Sequence, residues 1–156
     1  MKRLIAPLAL ALAALPFAAL AQERMAPVTD PATLTDCTEC HMAFPAGFLP
    51  ARSWQAVMSD LKNHFGENAT IGEESRLKIT AYLVANAADA GALNARASSR
   101  ILTGITADMT PLRISDLPWW KREHNGEVSQ AEWDRAKSPA NCVACHRDAE
   151  RGFFGD

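Results

Sequence analysis

The chain has 156 residues, 48% hydrophobic and 22% charged, with a formal net charge of −2 at pH 7. That balance excludes a basic nucleic-acid-binding surface and leaves apolar material for one modest core or two very small ones. With four cysteines and four histidines, the chemistry these side chains carry falls on few positions.

The chain opens with Lys2 and Arg3, then the apolar run LIAPLALALAALPFAAL and a small-x-small sequence, Ala19-Leu20-Ala21, before Gln22. This is the pattern of an export signal, residues 1–21, removed after Ala21. An uncleaved membrane anchor is the competing reading. It is weaker, because the run barely reaches spanning length and Pro7 and Pro16 interrupt it. The leader holds two of the 16 basic residues and none of the 18 acidic ones, so the 135-residue product carries 14 against 18. No later run has spanning length. The expected product is mildly acidic, resides in the periplasm and has no stable membrane insertion.

Residues 22–35, rich in Pro, Thr and Asp, read as a loose lead into Cys37, Cys40 and His41. This Cys-x-x-Cys-His motif returns at Cys142, Cys145 and His146, and the two copies use every cysteine. Disulfides would not require a histidine after each pair, and closing so short a loop removes little chain entropy. A thioredoxin-like pair needs a βαβ setting that the pattern lacks. Zinc takes Cys and His in fours. The copies stand 105 positions apart, however, and zinc gives no reason for the adjoining histidine. A c-type haem does. Two thiols add to the two vinyl groups of one porphyrin, and the next residue falls beneath the iron as its proximal ligand. Two covalently attached haem groups (heme c) are therefore expected, each an apolar plate around which a short chain packs.

After the first motif, MAFPAGFLP reads as a loop suited to wrapping a haem edge. The spacing of Trp54, Val57, Met58, Leu61 and Phe65 predicts a helix over 51–65, with Pro50 at its start and His64 on the edge of its apolar face. GENATIGEE reads as a turn. EESRLKITAYLVANAA predicts a second helix with Ile79, Tyr82, Leu83 and Ala87 on one stripe, Leu77 outside it, and Glu73 and Glu74 where the helix dipole favours them. Tyr82 is expected to pack against another helix and carries no catalytic role. Residues 88–118 mix small and polar residues around a domain junction near 95, with a short helix in ASSRILTGIT. In SDLPWWKREHNGE, His124 follows Trp120 by four, and the two tryptophans are expected to pack on porphyrin or close a pocket edge. SQAEWDRAK opens with a capping box, Ser129 and Glu132. Phe153 and Phe154, beyond the second motif, are expected to cover a haem face.

The sixth position of each iron decides whether it moves electrons or binds a small molecule. His64 and His124 are the histidine candidates, and Met25, Met42, Met58 and Met109 compete. His64 lies 23 positions after His41, and His124 lies 22 before His146. Pairing neighbours needs the shorter closures. The expected metal ligands are thus His41 with His64 and His146 with His124, and the haem-binding set adds Cys37, Cys40, Cys142 and Cys145. Arg52, Lys62, Lys121, Arg122 and Arg147 are candidate partners for the haem propionates, although such residues are more often solvated surface charges.

As a set, CTECHMAFPAGFLP, the segment ending NHF, ITAYL, LPWWKREH and NCVACHRDAERGFF resemble the bacterial dihaem cytochromes c of purple phototrophs. The resemblance spans nearly all of the mature chain. It implies an all-α fold with a class I cytochrome c-like half over residues 22–95 and a short, irregular second haem domain over 96–156. It implies bis-histidine ligation of both haems, by His41 with His64 and His146 with His124, and it places Tyr82 at the usual aromatic position of the class I terminal helix. It also implies transient redox partners: a membrane cytochrome b as donor and an oxygen-binding monohaem cytochrome as acceptor.

The expected function is periplasmic electron transfer between a membrane cytochrome and a soluble haem protein, without enzymatic activity. Iron held by two histidines changes oxidation state with little ligand movement. The alternative is a small haem enzyme, a peroxidase or reductase, with a displaceable distal ligand. A redox or gas sensor is a further rival, but the chain carries no signalling domain to receive its message.

Overall fold

A computed structural model describes residues 24–91 and 99–155, so the expected leader and the expected junction near residue 95 lie outside the described residues. The described chain is all-α. Five α-helices lie wholly within the described residues, with several 3-10 turns and, in place of strands, two isolated bridges. Among the described residues no helix is long and apolar enough to cross a membrane.

Helix α1 (Pro31–Cys37) begins where the Asp30 carboxylate accepts from the Thr33 backbone N–H at 2.8 Å and Pro31 supplies a preset first-turn φ. The lead expected to be loose therefore contains a capped helix, signalled by the Asp-Pro pair. The helix ends at Cys37, so the first motif unwinds from its last residue.

Helices α2 (Ala51–Ser59) and α3 (Glu73–Ala85) pack on one another. Trp54 and Met58 of the first meet Ile79 and Leu83 of the second in the core. Tyr82 packs against the edge of this core, and its hydroxyl accepts from the Thr29 backbone N–H at 3.2 Å. Leu77, off the apolar stripe, is exposed. The helix expected over 51–65 stops at Ser59. Asp60 leaves helical geometry at φ −136° and ψ 53°, and its carboxylate accepts from the Asn63 side-chain amide, a local bond that competes with helix continuation. A 3-10 turn, Leu61–Asn63, follows, and Phe65 and Gly66 have φ of 55° and 106°. His64 thus sits on a tight turn, exchanging backbone hydrogen bonds of 2.9 and 3.1 Å with Glu67, rather than on a helix face.

In the second half, 99–101 is helical, as the pattern in ASSRILTGIT suggests. Helix α4 (Pro118–His124) starts on a proline and carries both tryptophans. Helix α5 (Gln130–Ala136) opens with the reciprocal Ser129–Glu132 capping box and ends with Lys137 in the left-handed conformation. The second motif begins as a 3-10 turn, Cys142–Ala144, and the His146 N–H reaches back to the Cys142 carbonyl at 2.8 Å.

One core runs through both halves. Phe48, Trp54, Ile79 and Leu83 share it with Ile101, Leu117 and Trp119, and both Ile79 and Leu117 are fully buried. Arg52 ties the halves further, donating from Nε to the Met109 carbonyl at 2.7 Å and from Nη2 to the Thr106 carbonyl at 3.0 Å. The segment that begins at Arg24 closes on the tail. The Met25 N–H donates to the Gly152 carbonyl at 2.8 Å, and Arg24 bridges Phe153.

Candidate functional site

Each Cys-x-x-Cys-His copy borders its own cavity. The first, ≈ 400 Å³, is lined by Cys37, His41, Phe44, Trp54, Met58, Leu61, His64 and Phe65, and is completed by Arg113, Ile114, Trp120 and Cys142. The second, ≈ 430 Å³, is lined by Phe48, Trp119, Trp120, His124, Trp133, Cys142, Cys145, His146 and Phe154. Both are apolar over most of their lining, as small-molecule and cofactor sites are, and Glu123, Glu127 and Glu132 add acidic groups to the second. They share a wall, since Ile114, Trp120, Ser138, Pro139 and Cys142 border both.

Four histidines meet in two pairs. The rings of His41 and His64 lie 6.1 Å apart, centre to centre, at 24° between planes. Those of His124 and His146 lie 6.2 Å apart at 78°. A metal–imidazole bond of about 2 Å on either side of one ion, with each ring centre about 1 Å behind its nitrogen, requires about 6 Å. Both separations therefore fit one metal atom held between two rings. The zinc alternative lacks its ligand set, because among the described residues no three His, Cys, Asp or Glu side chains gather into a metal cluster. The four cysteines form no disulfide.

The hydrogen bonds of the rings orient them. His41 Nδ1 lies 2.7 Å from the Met42 carbonyl, and His124 Nδ1 lies 2.9 Å from the Trp120 carbonyl. A carbonyl only accepts, so each Nδ1 carries a proton and Nε2 is the nitrogen turned to metal binding. Burial holds His64 below the ordinary imidazole pKa, and the nearby His41 adds to the effect; both disfavour the charged ring. Ring stacking adds a second constraint: Phe44 lies on His41 at 4.7 Å and Trp120 on His124 at 4.1 Å.

The two leading cysteines are the part-buried ones. Burial pushes the Cys37 thiol up to about 11, with Asp36 and Asp30 adding to it, and burial also raises the Cys142 pKa. Both stay protonated at neutral pH, which limits unwanted oxidation. Cys40 and Cys145 are exposed.

The residues therefore fit two haems: paired thiols, paired imidazoles and an apolar cavity occur twice. A model of the family described as dihaem cytochrome c matches residues 33–154.

The chain belongs to the dihaem cytochrome c family.

Family membership makes it a haem protein of the electron-transfer type that binds two c-type haems. Among solved structures, a dihaem cytochrome c from Rhodobacter sphaeroides is 55% identical over 83% of this chain and 99% of its own, with a TM-score of 0.77. A second crystal structure from that organism gives 55% identity over 82% and 99%, with a TM-score of 0.68. A dihaem cytochrome c from Shewanella baltica is 30% identical over 80% of this chain and 85% of its own, with a TM-score of 0.62. A comparison with curated proteins finds no match.

In this dihaem cytochrome c the remaining candidates are placed as follows. Met58 is buried on the wall of the first cavity. Met25 and Met42 are buried and border neither haem cavity, and Met109 is on the surface. Phe154 faces His146 at 5.8 Å, whereas the Phe153 ring meets the guanidiniums of Arg24 and Arg151. Sequence reasoning missed Phe44, which the aromatic three residues after His41 could have suggested. It also missed Arg113, whose guanidinium lies 4.3 Å over the Phe65 ring at the first cavity. Arg113 had no sequence signal, because nothing local shows that the second half completes the first cavity.

Proposed function

We propose that the protein is a periplasmic electron carrier whose two haems are each held between two histidines, His41 with His64 and His124 with His146. Cys37 and Cys40 anchor the first haem, and Cys142 and Cys145 the second. The observation that carries this reading is the pair of imidazole separations, 6.1 and 6.2 Å, each beside its own cysteine pair. When bound, each haem supplies an iron that gains or loses one electron. The chain supplies the rest. The Met42 and Trp120 carbonyls hold the Nδ1 protons of His41 and His124, and aromatic and aliphatic side chains line both cavities beside the ligand set. Neutral imidazoles on both sides favour a lower potential than a Met–His pair would, and occupied sixth positions disfavour small-molecule chemistry.

The shared wall of Ile114, Trp120 and Cys142 supports passage of an electron from one site to the other within a single chain. The partners follow from the family likeness: a membrane cytochrome b as donor and an oxygen-binding monohaem cytochrome as acceptor, each docking weakly enough to be released. Electron paramagnetic resonance and carbon monoxide difference spectra of the purified holoprotein test the carrier reading. Both irons should be low-spin, with no carbon monoxide shift at neutral pH. A high-spin iron or rapid carbon monoxide binding would favour a small haem enzyme with a displaceable ligand.

A further inference from the structure

The two histidine pairs match in separation and differ in orientation. The planes of His41 and His64 lie 24° apart, and those of His124 and His146 lie 78° apart. An imidazole donates π density to a metal in one plane only. Near-parallel rings therefore split two of the iron d orbitals, whereas crossed rings leave them nearly degenerate. This is a tuning lever separate from ligand identity and burial.

The crossing angle depends on what holds His124. Its Nδ1 bond goes to the backbone carbonyl of Trp120, so that bond persists whatever side chain residue 120 carries. The plane of the ring is set by the indole of Trp120, which lies 4.1 Å away and within 13° of parallel. Trp133 approaches the same imidazole at 6.5 Å and 39°, too far and too tilted to set its plane. Residues four apart on α4 stack because their side chains rise from one helix face. Across the site, the Phe154 ring meets His146 at a tilt of 59°.

We propose that Trp120 is a positioning residue of the second haem: its indole holds the His124 ring across the plane of His146 and makes that iron electronically distinct from the first. This rests on the ligand pairs proposed above. Trp120 also borders the first cavity, so the same side chain stands between the two sites.

The test is electron paramagnetic resonance of the oxidised holoprotein and of its Trp120→Phe and Trp120→Leu variants, with a redox titration of each. The unmodified protein should give two low-spin signals, one rhombic and one nearly axial with a large principal g value. Trp120→Leu should abolish the large-g signal in favour of a rhombic one, and should shift the potential of the haem that gave it. Trp120→Phe keeps an aromatic plate and should retain the large-g signal, a rescue that general packing damage would not give. Two rhombic signals in the unmodified protein would overturn the proposal while leaving bis-histidine ligation intact. So would a large-g signal that survives Trp120→Leu. A high-spin iron in the unmodified protein would instead overturn the ligand pairs, and the role of Trp120 with them.

Discussion

Gly152 closes the molecule, and replacing it with alanine should unfasten the two ends. Its φ is +84°, and a Cβ built there would lie 2.0 Å from the Met25 carbonyl oxygen and 3.1 Å from the carbon. Gly126 is the internal control: its φ is +81°, yet a Cβ there meets nothing within 4 Å. Both alanine variants pay the left-handed backbone cost of about 1 kcal/mol. Only Gly152→Ala must also push the two segments apart by more than an ångström. The bond from the Met25 N–H to the Gly152 carbonyl cannot survive that shift, a loss of about 0.5–1.5 kcal/mol. Partial exposure of the Met25 side chain, now only 3% exposed, adds about 1.5–2.5 kcal/mol. Gly152→Ala should therefore be less stable than Gly126→Ala by about 2–4 kcal/mol, which at about 4 °C per kcal/mol separates their midpoints by about 8–16 °C. Thermal unfolding of the two holoproteins, followed by far-ultraviolet circular dichroism, measures the difference. Midpoints within about 2 °C of each other would refute the reasoning, since the close approach at Gly152 would then carry no energy.

Further outcomes follow from the same structure. His64→Met and His124→Met should each change the ligand field of one iron and raise its potential by more than about 60 mV, a tenfold change in a one-electron equilibrium; a potentiometric titration that leaves both midpoints in place would remove these residues from the ligand set. Ile79→Ala empties a fully buried core position that borders neither haem cavity, and should cost about 2–5 kcal/mol in denaturant unfolding while leaving the haem spectrum unchanged. The Ser129 hydroxyl and backbone N–H hold Glu132 below its ordinary pKa of 4.5. A carboxylate whose folded pKa is depressed contributes stability above its unfolded value and loses it as pH falls through the folded one. The stability advantage over Ser129→Ala should thus be constant above about pH 4.5 and shrink below it, as acid unfolding of the two proteins would record.

Family membership and cofactor chemistry were legible because they reside in short, contiguous motifs. Two Cys-x-x-Cys-His copies with no spare cysteine specify paired thiols and a histidine whatever the chain does elsewhere. The capping box at Ser129 and the stripe through Ile79 and Leu83 were legible for the same reason, since helix starts and faces are local patterns. Helix ends were less so. The apolar spacing through Leu61 and Phe65 continues past Ser59, but Asp60 finds a side-chain bond to Asn63, and a turn with positive φ at Phe65 and Gly66 replaces the helix. That turn, not an amphipathic face, is what aims His64 at His41.

Tertiary structure alone decided how the two halves share material. Arg113, Ile114 and Cys142 reach the first cavity from the second half of the sequence, and the Met25 backbone bonds to a glycine more than a hundred residues away. It alone also set the angles between the imidazoles. The kind of ligand a position offers is a property of its residue type, which the chain carries locally. The plane in which that ligand is held depends on which neighbours pack against it, and those neighbours meet only when the chain has folded.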